Sequence, residues 1–251
     1  MSRILILLAL LIWGDALFGQ KDKPVHFQDH FAALLSSDER TRQEALDALT
    51  SSWEVSHVPM LVEIMRLVDD PWFTSQVIPV LEAKTGQSHG TDYFAWLQWL
   101  WTQDPVYPFY YADFKAELYS YIDPLFETYF FRRQGLSEIR LDEVVWGGVQ
   151  QDGIPPLRYP AMIRAAEAVY LDDSDIVFGI EINGDVRAYP KRILAWHEMF
   201  VDEVGGIPVA GVYCTLCGTV IVYDVRVNGV VHEMGTSGFL YRSNKLMYDR
   251  A

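Results

Sequence analysis

The chain has 251 residues, of which 50% are hydrophobic and 14% aromatic, and its formal net charge at pH 7 is -14. This composition excludes an intrinsically disordered protein, and the acidic balance argues against a protein that binds nucleic acid or anionic lipid surfaces. A chain of this length forms one large domain or two smaller ones, each with its own hydrophobic core.

The first twenty residues have the pattern of a secretory signal peptide. Arg3 precedes an apolar run over residues 4–13, which is about half the length that a membrane-spanning helix needs. We therefore predict a signal peptide over residues 1–19, export to the periplasm or the cell exterior, and no membrane span after the signal is cleaved. An uncleaved anchor is the alternative. Export to an oxidising compartment would permit disulfide bonds.

Residues 24–104 are predicted to form four helices. Their starting signals, in chain order, are a capping box of Ser36 with Glu39, then Pro59, Asp70 and Asp92. Gly86 is expected to end the third helix. The two helix pairs are similar to degenerate HEAT-type repeats, and a small helical bundle explains the same pattern equally well.

Residues 105–145 are predicted to be an aromatic-rich helical connector. Tyr and Phe are frequent between positions 107 and 131, and Pro124 is expected to end the helix of this segment. Such a cluster could bind a sugar or an apolar ligand. Packing in the core between two regions is the more common use of aromatic side chains, so we favour that interpretation.

Residues 146–251 are predicted to form a β-rich domain. Asn183-Gly184 and Asn228-Gly229 each join alternating apolar runs, which is the pattern of a β-hairpin. Residues 191–204 are expected to form one helix, closed by Gly205-Gly206. The predicted fold class is therefore α+β: a helical region, HEAT-like or a small bundle, followed by an antiparallel β-rich, barrel- or sandwich-like domain.

The two cysteines of the chain, Cys214 and Cys217, lie between two apolar, β-branched runs. This pattern predicts a tight turn between two strands, with both sulfurs at the bend. Three roles are open: a thiol–disulfide redox pair, half of a zinc site, or a structural disulfide. A strand is expected after the motif, so it lacks the helix N-terminus that activates thioredoxin-type cysteines.

His197 could transfer protons to or from the cysteines, because its ordinary pKa lies near neutrality. A zinc site would need His197 and His232 as further ligands beside Cys214 and Cys217. We expect Trp196 to face the core and His197 to point toward the cysteine turn, across a shallow pocket.

Several other residues are predicted to support this site. Tyr241 or Asn244 would line the pocket, and Glu198 and Asp202 would share one face of the predicted helix. A solvated acidic face with one hydrogen-bonded histidine is the ordinary alternative. Arg187 and Arg242 could bind an anionic substrate, although arginines more often pair with Asp or Glu.

Six motifs occur in order in the C-terminal region. They are WGGV at 146–149, QDGIP at 151–155, RAYP at 187–190, WHE at 196–198, YCTLCG at 213–218 and SGFLYRSNKLMYDR at 237–250. Together, over about residues 145–251, they closely resemble a bacterial and archaeal family catalogued as domain of unknown function 3179. Some members are described as selenoproteins with selenocysteine at the cysteine motif, so the resemblance implies redox chemistry. Members usually have Asn in place of Val201 and continue beyond the last motif, which implies a domain truncated at its C-terminus.

The functional hypothesis from the sequence is an exported thiol–disulfide redox protein without a bound cofactor. Cys214, Cys217 and His197 would be its catalytic residues, and its partner would be a protein or a small-molecule thiol or disulfide. One alternative is a non-catalytic binding or scaffold module of the cell envelope with a structural disulfide, which an exposed apolar stripe over residues 36–101 would favour. The other alternative is a Cys/His site for zinc or another transition metal.

Overall fold

The computed structural model describes residues 27–104, 107–133, 135–215 and 218–250. The predicted signal peptide over residues 1–19 and the second cysteine, Cys217, lie outside the described residues. Within the described ranges, no helix combines the length and the apolar character needed to cross a membrane.

The N-terminal half is helical. Its helices are α1 (Phe27–Ala33), α2 (Glu39–Ser51), α3 (His57–Leu67), α4 (Ile78–Thr85, preceded by a π-helical turn over Phe73–Val77), α5 (Tyr93–Thr102), α6 (Tyr111–Ser120) and α7 (Glu127–Phe130). Helices α1 to α6 enclose an apolar core in which Phe31, Leu61 and Trp96 are fully buried. The similarity to HEAT-type repeats stays a prediction.

Two of the predicted helix ends are confirmed and one is wrong. Gly86 ends α4 in the left-handed conformation, with φ of 71°, which only glycine adopts without strain. Asp92 caps α5 by accepting a hydrogen bond from the backbone N–H of Ala95 at 3.0 Å. The predicted capping box of Ser36 is wrong, because Asp38 caps α2 and the Ser36 hydroxyl accepts from the Asp38 N–H instead.

Helices α6 and α7 pack the helical region against the β-rich region. The Phe239 ring lies 4.9 Å from the ring of Tyr119, 4.8 Å from that of Phe126 and 5.2 Å from that of Phe130, between centroids. Helix α6 ends at Ser120, before Pro124. The aromatic connector therefore contributes to a buried core between the two regions, which is the role predicted from its aromatic composition.

A buried polar cluster lies between the same two regions. The Lys115 ammonium forms an ion pair with the Glu63 carboxylate, and neither side chain is more than 5% exposed. The hydroxyls of Tyr111 and Tyr119 also donate to Glu63. Lys115 makes a further bond, at 2.9 Å, to the carbonyl oxygen of Val144 at the start of the first strand. Every charge in this cluster therefore has a partner, which a buried ion pair requires.

The C-terminal half contains the strands and one helix. The strands are β1 (Val144–Trp146), β2 (Leu157–Arg158), β3 (Val177–Ile182), β4 (Asp185–Pro190), β5 (Met199–Val204), β6 (Ile207–Cys214), β7 (Thr219–Asp224), β8 (Arg226–Val227), β9 (Val230–Val231), β10 (Met234–Tyr241) and β11 (Asn244–Asp249), and α8 (Lys191–His197) lies between β4 and β5. One sheet has the order β1-β10-β11 and another β2-β5-β6-β7, while β3-β4 and β8-β9 are separate hairpins.

These sheets confirm the α+β class. All strand pairs are antiparallel except the short β2–β5 pair, which is parallel. Both predicted hairpins are present, with Asn183 and Asn228 at φ of 51° in their turns. The strands of the described region form open sheets and do not close into a barrel.

The predicted helix over residues 191–204 is wrong in its second half. Helix α8 ends at His197, and Glu198 takes the left-handed conformation with φ of 53°. Residues 199–204 form β5, which pairs with β6 on one side and β2 on the other. Met199, Phe200, Val201 and Val204 are all buried there, so pairing within the sheet prevails over the helical spacing of these apolar residues.

Candidate functional site

Cys214 lies where β6 ends, before the turn into β7, as the sequence predicts. Cys214 is the last residue of β6 and pairs with Thr219, the first residue of β7. The turn is closed by the N–H of Gly218, which donates to the Cys214 carbonyl at 2.8 Å, and Gly218 has a φ of 67°. Cys214 itself is half-buried, whereas its neighbour Tyr213 is 2% exposed.

Cys214 lines a cavity of about 260 Å³ between the end of β6 and the sheet that contains β10. Much of the cavity wall is apolar and includes Val149, Ile154 and Leu240. The polar residues of the described lining are Glu198, Tyr213, Cys214, Thr215, Thr236, Ser243 and Lys245. A small apolar space with a few polar groups has the usual composition of a ligand site.

Glu198 and Lys245 provide the charged groups in the described lining of this cavity. The Lys245 ammonium pairs with the Glu198 carboxylate, and the two side chains are 14% and 17% exposed. The Thr215 hydroxyl donates to the other carboxylate oxygen of Glu198 at 3.3 Å, and the backbone N–H of Tyr213 donates to the Glu198 carbonyl at 2.9 Å. Glu198 thus contacts both residues that flank Cys214.

His197 has a different position from the predicted one. The premise that Trp196 faces the core is wrong, because Trp196 is 81% exposed and Leu194 is the fully buried residue of α8. The Nδ1 atom of His197 lies 2.9 Å from the carbonyl oxygen of Pro155. His197 is absent from the described lining of the cavity.

Tyr241 and Asn244 are likewise absent from the described lining. They pair with each other at the end of the β10–β11 hairpin, whereas the next pair, Leu240 with Lys245, lines the cavity. Successive residues of a strand point to opposite faces of the sheet. The predicted residues are therefore one position away from those that line the cavity.

Arg187 and Asp202 belong to a separate polar cluster. Arg187 pairs with Asp185 at 2.9 Å and with Asp202 at 2.7 Å, and the Tyr189 hydroxyl donates to Asp202 at 2.7 Å. Burial raises the pKa of Tyr189, and the hydrogen bond to Asp202 raises it further. The predicted shared helix face of Glu198 and Asp202 is wrong, because the chain is helical at neither residue.

Arg242 also has a carboxylate partner. Its guanidinium makes two hydrogen bonds to Glu143, whose side chain is fully buried. The bond from Arg242 holds the pKa of Glu143 below its usual range. Both arginines therefore have the ordinary role of ion-pair partners.

Within the described ranges, no three His, Cys, Asp or Glu side chains are grouped as metal ligands. His232 contacts Asp249, with 2.6 Å between Nδ1 and Oδ2. Because Cys217 lies outside the described residues, the complete set of Cys214, Cys217, His197 and His232 stays a prediction.

Lys245, Thr215 and Ser243 are site residues that were not predicted from the sequence. All three line the cavity. The sequence contains a signal for Lys245, because this cation follows the polar pair Ser243-Asn244 and directly precedes the apolar pair Leu246-Met247.

Comparison with known proteins gives one result. The model of a family described as "Protein of unknown function (DUF3179)" matches residues 151–251. The matched segment contains Glu198, Cys214, Thr215 and Lys245. Comparisons with curated proteins and with solved structures found no match.

Proposed function

Residues 151–251 belong to the family described as DUF3179, and from this premise we propose that the chain is a thiol–disulfide redox protein. Cys214 would be the attacking sulfur and Cys217 the resolving one. The observation that carries this proposal is the position of Cys214, half-buried at the end of β6 and lining a cavity that also contains an ion pair.

The proposed reaction transfers two electrons from the cysteine pair to a disulfide. The Cys214 thiolate attacks one sulfur of the substrate, the substrate S–S bond breaks, and the first substrate thiolate leaves and takes up a proton. The Cys217 thiolate then attacks the Cys214 sulfur. This step forms the Cys214–Cys217 disulfide and releases the second substrate thiol, so that one disulfide is reduced while one is formed.

The surroundings of Cys214 support this chemistry. A cation close to a thiol favours the thiolate, which is the nucleophile in disulfide exchange. Lys245 lines the same cavity as Cys214, although Glu198 shares its charge. Cys214 is followed by strand β7, which begins at Thr219, and not by a helix, as the described residues show. The cavity is therefore the feature that would distinguish Cys214 from an ordinary structural cysteine.

Mass measurement of the intact protein tests the proposal. The full chain is reduced, then treated with an alkylating agent before or after exposure to a small disulfide. We expect two alkyl groups on the reduced protein and none after oxidation. The Cys217→Ser variant should accumulate a mixed disulfide at Cys214, whereas Cys214→Ser should not. Cysteines that stay unreactive in the reduced, folded protein would rule out the proposal.

We also propose that the protein is exported, on the basis of the sequence pattern of residues 1–19. Cell fractionation compares the full chain with a variant in which Ile6 and Leu8 are both changed to Asp, which interrupts the apolar run. The full chain should be found outside the cytoplasm and the variant inside it. Equal distribution of the two would contradict export.

The scaffold alternative has less support. It expects an exposed apolar stripe over residues 36–101, but the large apolar side chains exposed in that range are Val55 and Phe94, 66% and 67% exposed. They are 39 positions apart in the sequence and belong to different segments of the helical region.

A further inference from the structure

The cavity beside Cys214 is small. Its volume is about 260 Å³, which is below the roughly 300–1,000 Å³ of pockets that take drug-sized ligands. This space suits a compound with a few carbon atoms beside its sulfur. A folded segment of another protein would not enter it.

The wall formed by Gly147 and Gly238 is close-packed backbone. A Cβ atom added at Gly147 would lie 3.1 Å from the carbonyl oxygen of Gly238, and one added at Gly238 would lie 2.6 Å from that of Val149. These two positions therefore have no room for a larger residue. With Val149 and Ile154 in the same wall, the body of a ligand would meet mainly apolar surface.

Protein groups in the described part of the chain do not fill all the hydrogen-bond donors of Lys245. An ammonium group has three N–H donors, and in the described part of the chain the Lys245 side chain makes one hydrogen bond, to Glu198. Its side chain is 14% exposed and lines the cavity. Both carboxylate oxygens of Glu198 already accept a hydrogen bond, one from Lys245 and one from Thr215. An additional acceptor in the cavity would therefore bind to Lys245.

We infer that the cavity takes a small disulfide that carries a carboxylate, and that Lys245 selects this substrate by binding the carboxylate. The inference rests on the proposed function and names the substrate class of the same site. The electron transfer is the one given above: the two cysteine thiols become a disulfide, and the carboxylated disulfide leaves as two thiols. A hydrogen bond between an ammonium group and a carboxylate is roughly twice as strong as one between neutral groups.

The charge of the whole protein acts against this preference. The net charge of -14 repels anions at long range, and at about 0.15 M salt this repulsion is screened beyond roughly 8 Å. A preference for an anionic disulfide would therefore have to arise inside the cavity, from Lys245.

The test compares three disulfides at physiological salt, each with two methylene groups between the sulfur and the polar group. They are 3,3′-dithiodipropionate, which carries carboxylates, 2-hydroxyethyl disulfide, which is neutral, and cystamine, which carries ammonium groups. Rates of oxidation of the reduced full chain are divided by the rates for a short unstructured peptide with one cysteine, which removes the intrinsic reactivity of each compound. We expect the normalised rate for the carboxylated compound to exceed that for the neutral one about tenfold. This factor corresponds to the free energy that one hydrogen bond to a charged group contributes.

Variants identify the group responsible. In Lys245→Met the ratio of carboxylated to neutral rates should fall to about one, and Lys245→Arg should keep most of the preference, since one charged donor is retained. Lys84→Met, in the helical region, is the matched control and should keep the tenfold ratio. Glu198→Gln should raise the ratio above that of the wild type because it removes the competing carboxylate. This variant gives an independent readout if Lys245→Met does not fold.

The outcomes separate the inference from the proposed function. Equal normalised rates in the wild type, or a preference that persists in Lys245→Met, would overturn the inference and leave the redox function standing. A lower ratio in Glu198→Gln would also overturn it. If none of the three disulfides reacts with the folded protein, although both cysteines react after unfolding, then the proposed function fails and the inference fails with it.

Discussion

The Phe200 ring fills the space that a side chain at Gly211 would need. The two residues are Cα partners in the β5–β6 ladder, and a Cβ atom added at Gly211 would lie 1.9 Å from Cε1 of Phe200. On its other side, the Phe200 ring stacks on Tyr189, with 3.8 Å between centroids. The aromatic pair therefore packs directly on β6, the strand that leads to Cys214.

Gly211→Ala should lower the free energy of unfolding by about 1–3 kcal/mol, because the new methyl group displaces Phe200 from a close-packed site. Urea denaturation measures this change. Gly179→Ala is the matched control: Gly179 also lies within a strand, and no atom lies within 4 Å of its added Cβ. Equal effects of the two substitutions would contradict the packing argument.

Lys115→Met should lower the free energy of unfolding by about 3–5 kcal/mol, since Glu63 would remain buried without its cation. The change is read from denaturation midpoints in urea at neutral pH. The double variant Lys115→Met/Glu63→Gln removes both charges, and we expect it to recover at least about 1 kcal/mol relative to the single variant. A double variant less stable than Lys115→Met would show that the charge of Glu63 is not the cause.

Asp202→Ala should destabilise the fold by about 3 kcal/mol, because it leaves Arg187 and the Tyr189 hydroxyl without their shared buried acceptor. Thermal unfolding of the variant provides the measurement. Asp224→Ala, at the exposed end of β7, is a suitable control and should change the stability by less than about 0.5 kcal/mol. If the two variants unfold at the same temperature, the polar cluster does not stabilise the protein.

Alkaline pH should destabilise the protein above pH 10. Burial raises the pKa of several tyrosines above the ordinary value of 10, and that of Tyr110 to about 12; the others are Tyr93, Tyr107, Tyr111, Tyr119, Tyr129 and Tyr189. A raised pKa means that the folded state keeps protons which the unfolded state loses, so stability is full below pH 10 and falls above it.

Tyr111 and Tyr119 are fully buried, and each should contribute up to about 1.4 kcal/mol to this loss at pH 11. Urea denaturation at pH 9 and pH 11 gives the stability, and the ultraviolet absorbance of tyrosinate gives the ionisation. Complete ionisation of all tyrosines near pH 10 in a protein that stays folded would contradict the expectation.

The elements that were predictable from the sequence have local causes. Asn183-Gly184 and Asn228-Gly229 form hairpins because residues of these types accept positive φ at a two-residue turn. Gly86 ends a helix for the same reason. The turn at Cys214 follows from the β-branched runs on both sides of it. In each case the decisive residues lie within a few positions of one another.

The elements that were not predictable depend on distant residues. Residues 199–204 have apolar spacing that fits either a helix or a buried strand, and their pairing with β6 decides between them. The ion pair between Glu198 and Lys245 joins residues 47 positions apart. Which side of the β10–β11 hairpin faces the cavity depends on strand register, and a shift of one position exchanges Tyr241 and Asn244 for Leu240 and Lys245.

The bond from Lys115 to the Val144 carbonyl has a consequence for how the chain acquires its structure during synthesis. Lys115 leaves the ribosome 29 residues before Val144. Until Val144 follows, the Lys115 ammonium, on the face of the helical region that meets the strands, lacks one of its acceptors, so the helices cannot reach their final stability alone. We therefore expect the helical region to mature only when the first strand arrives, and the two halves to fold as one cooperative unit.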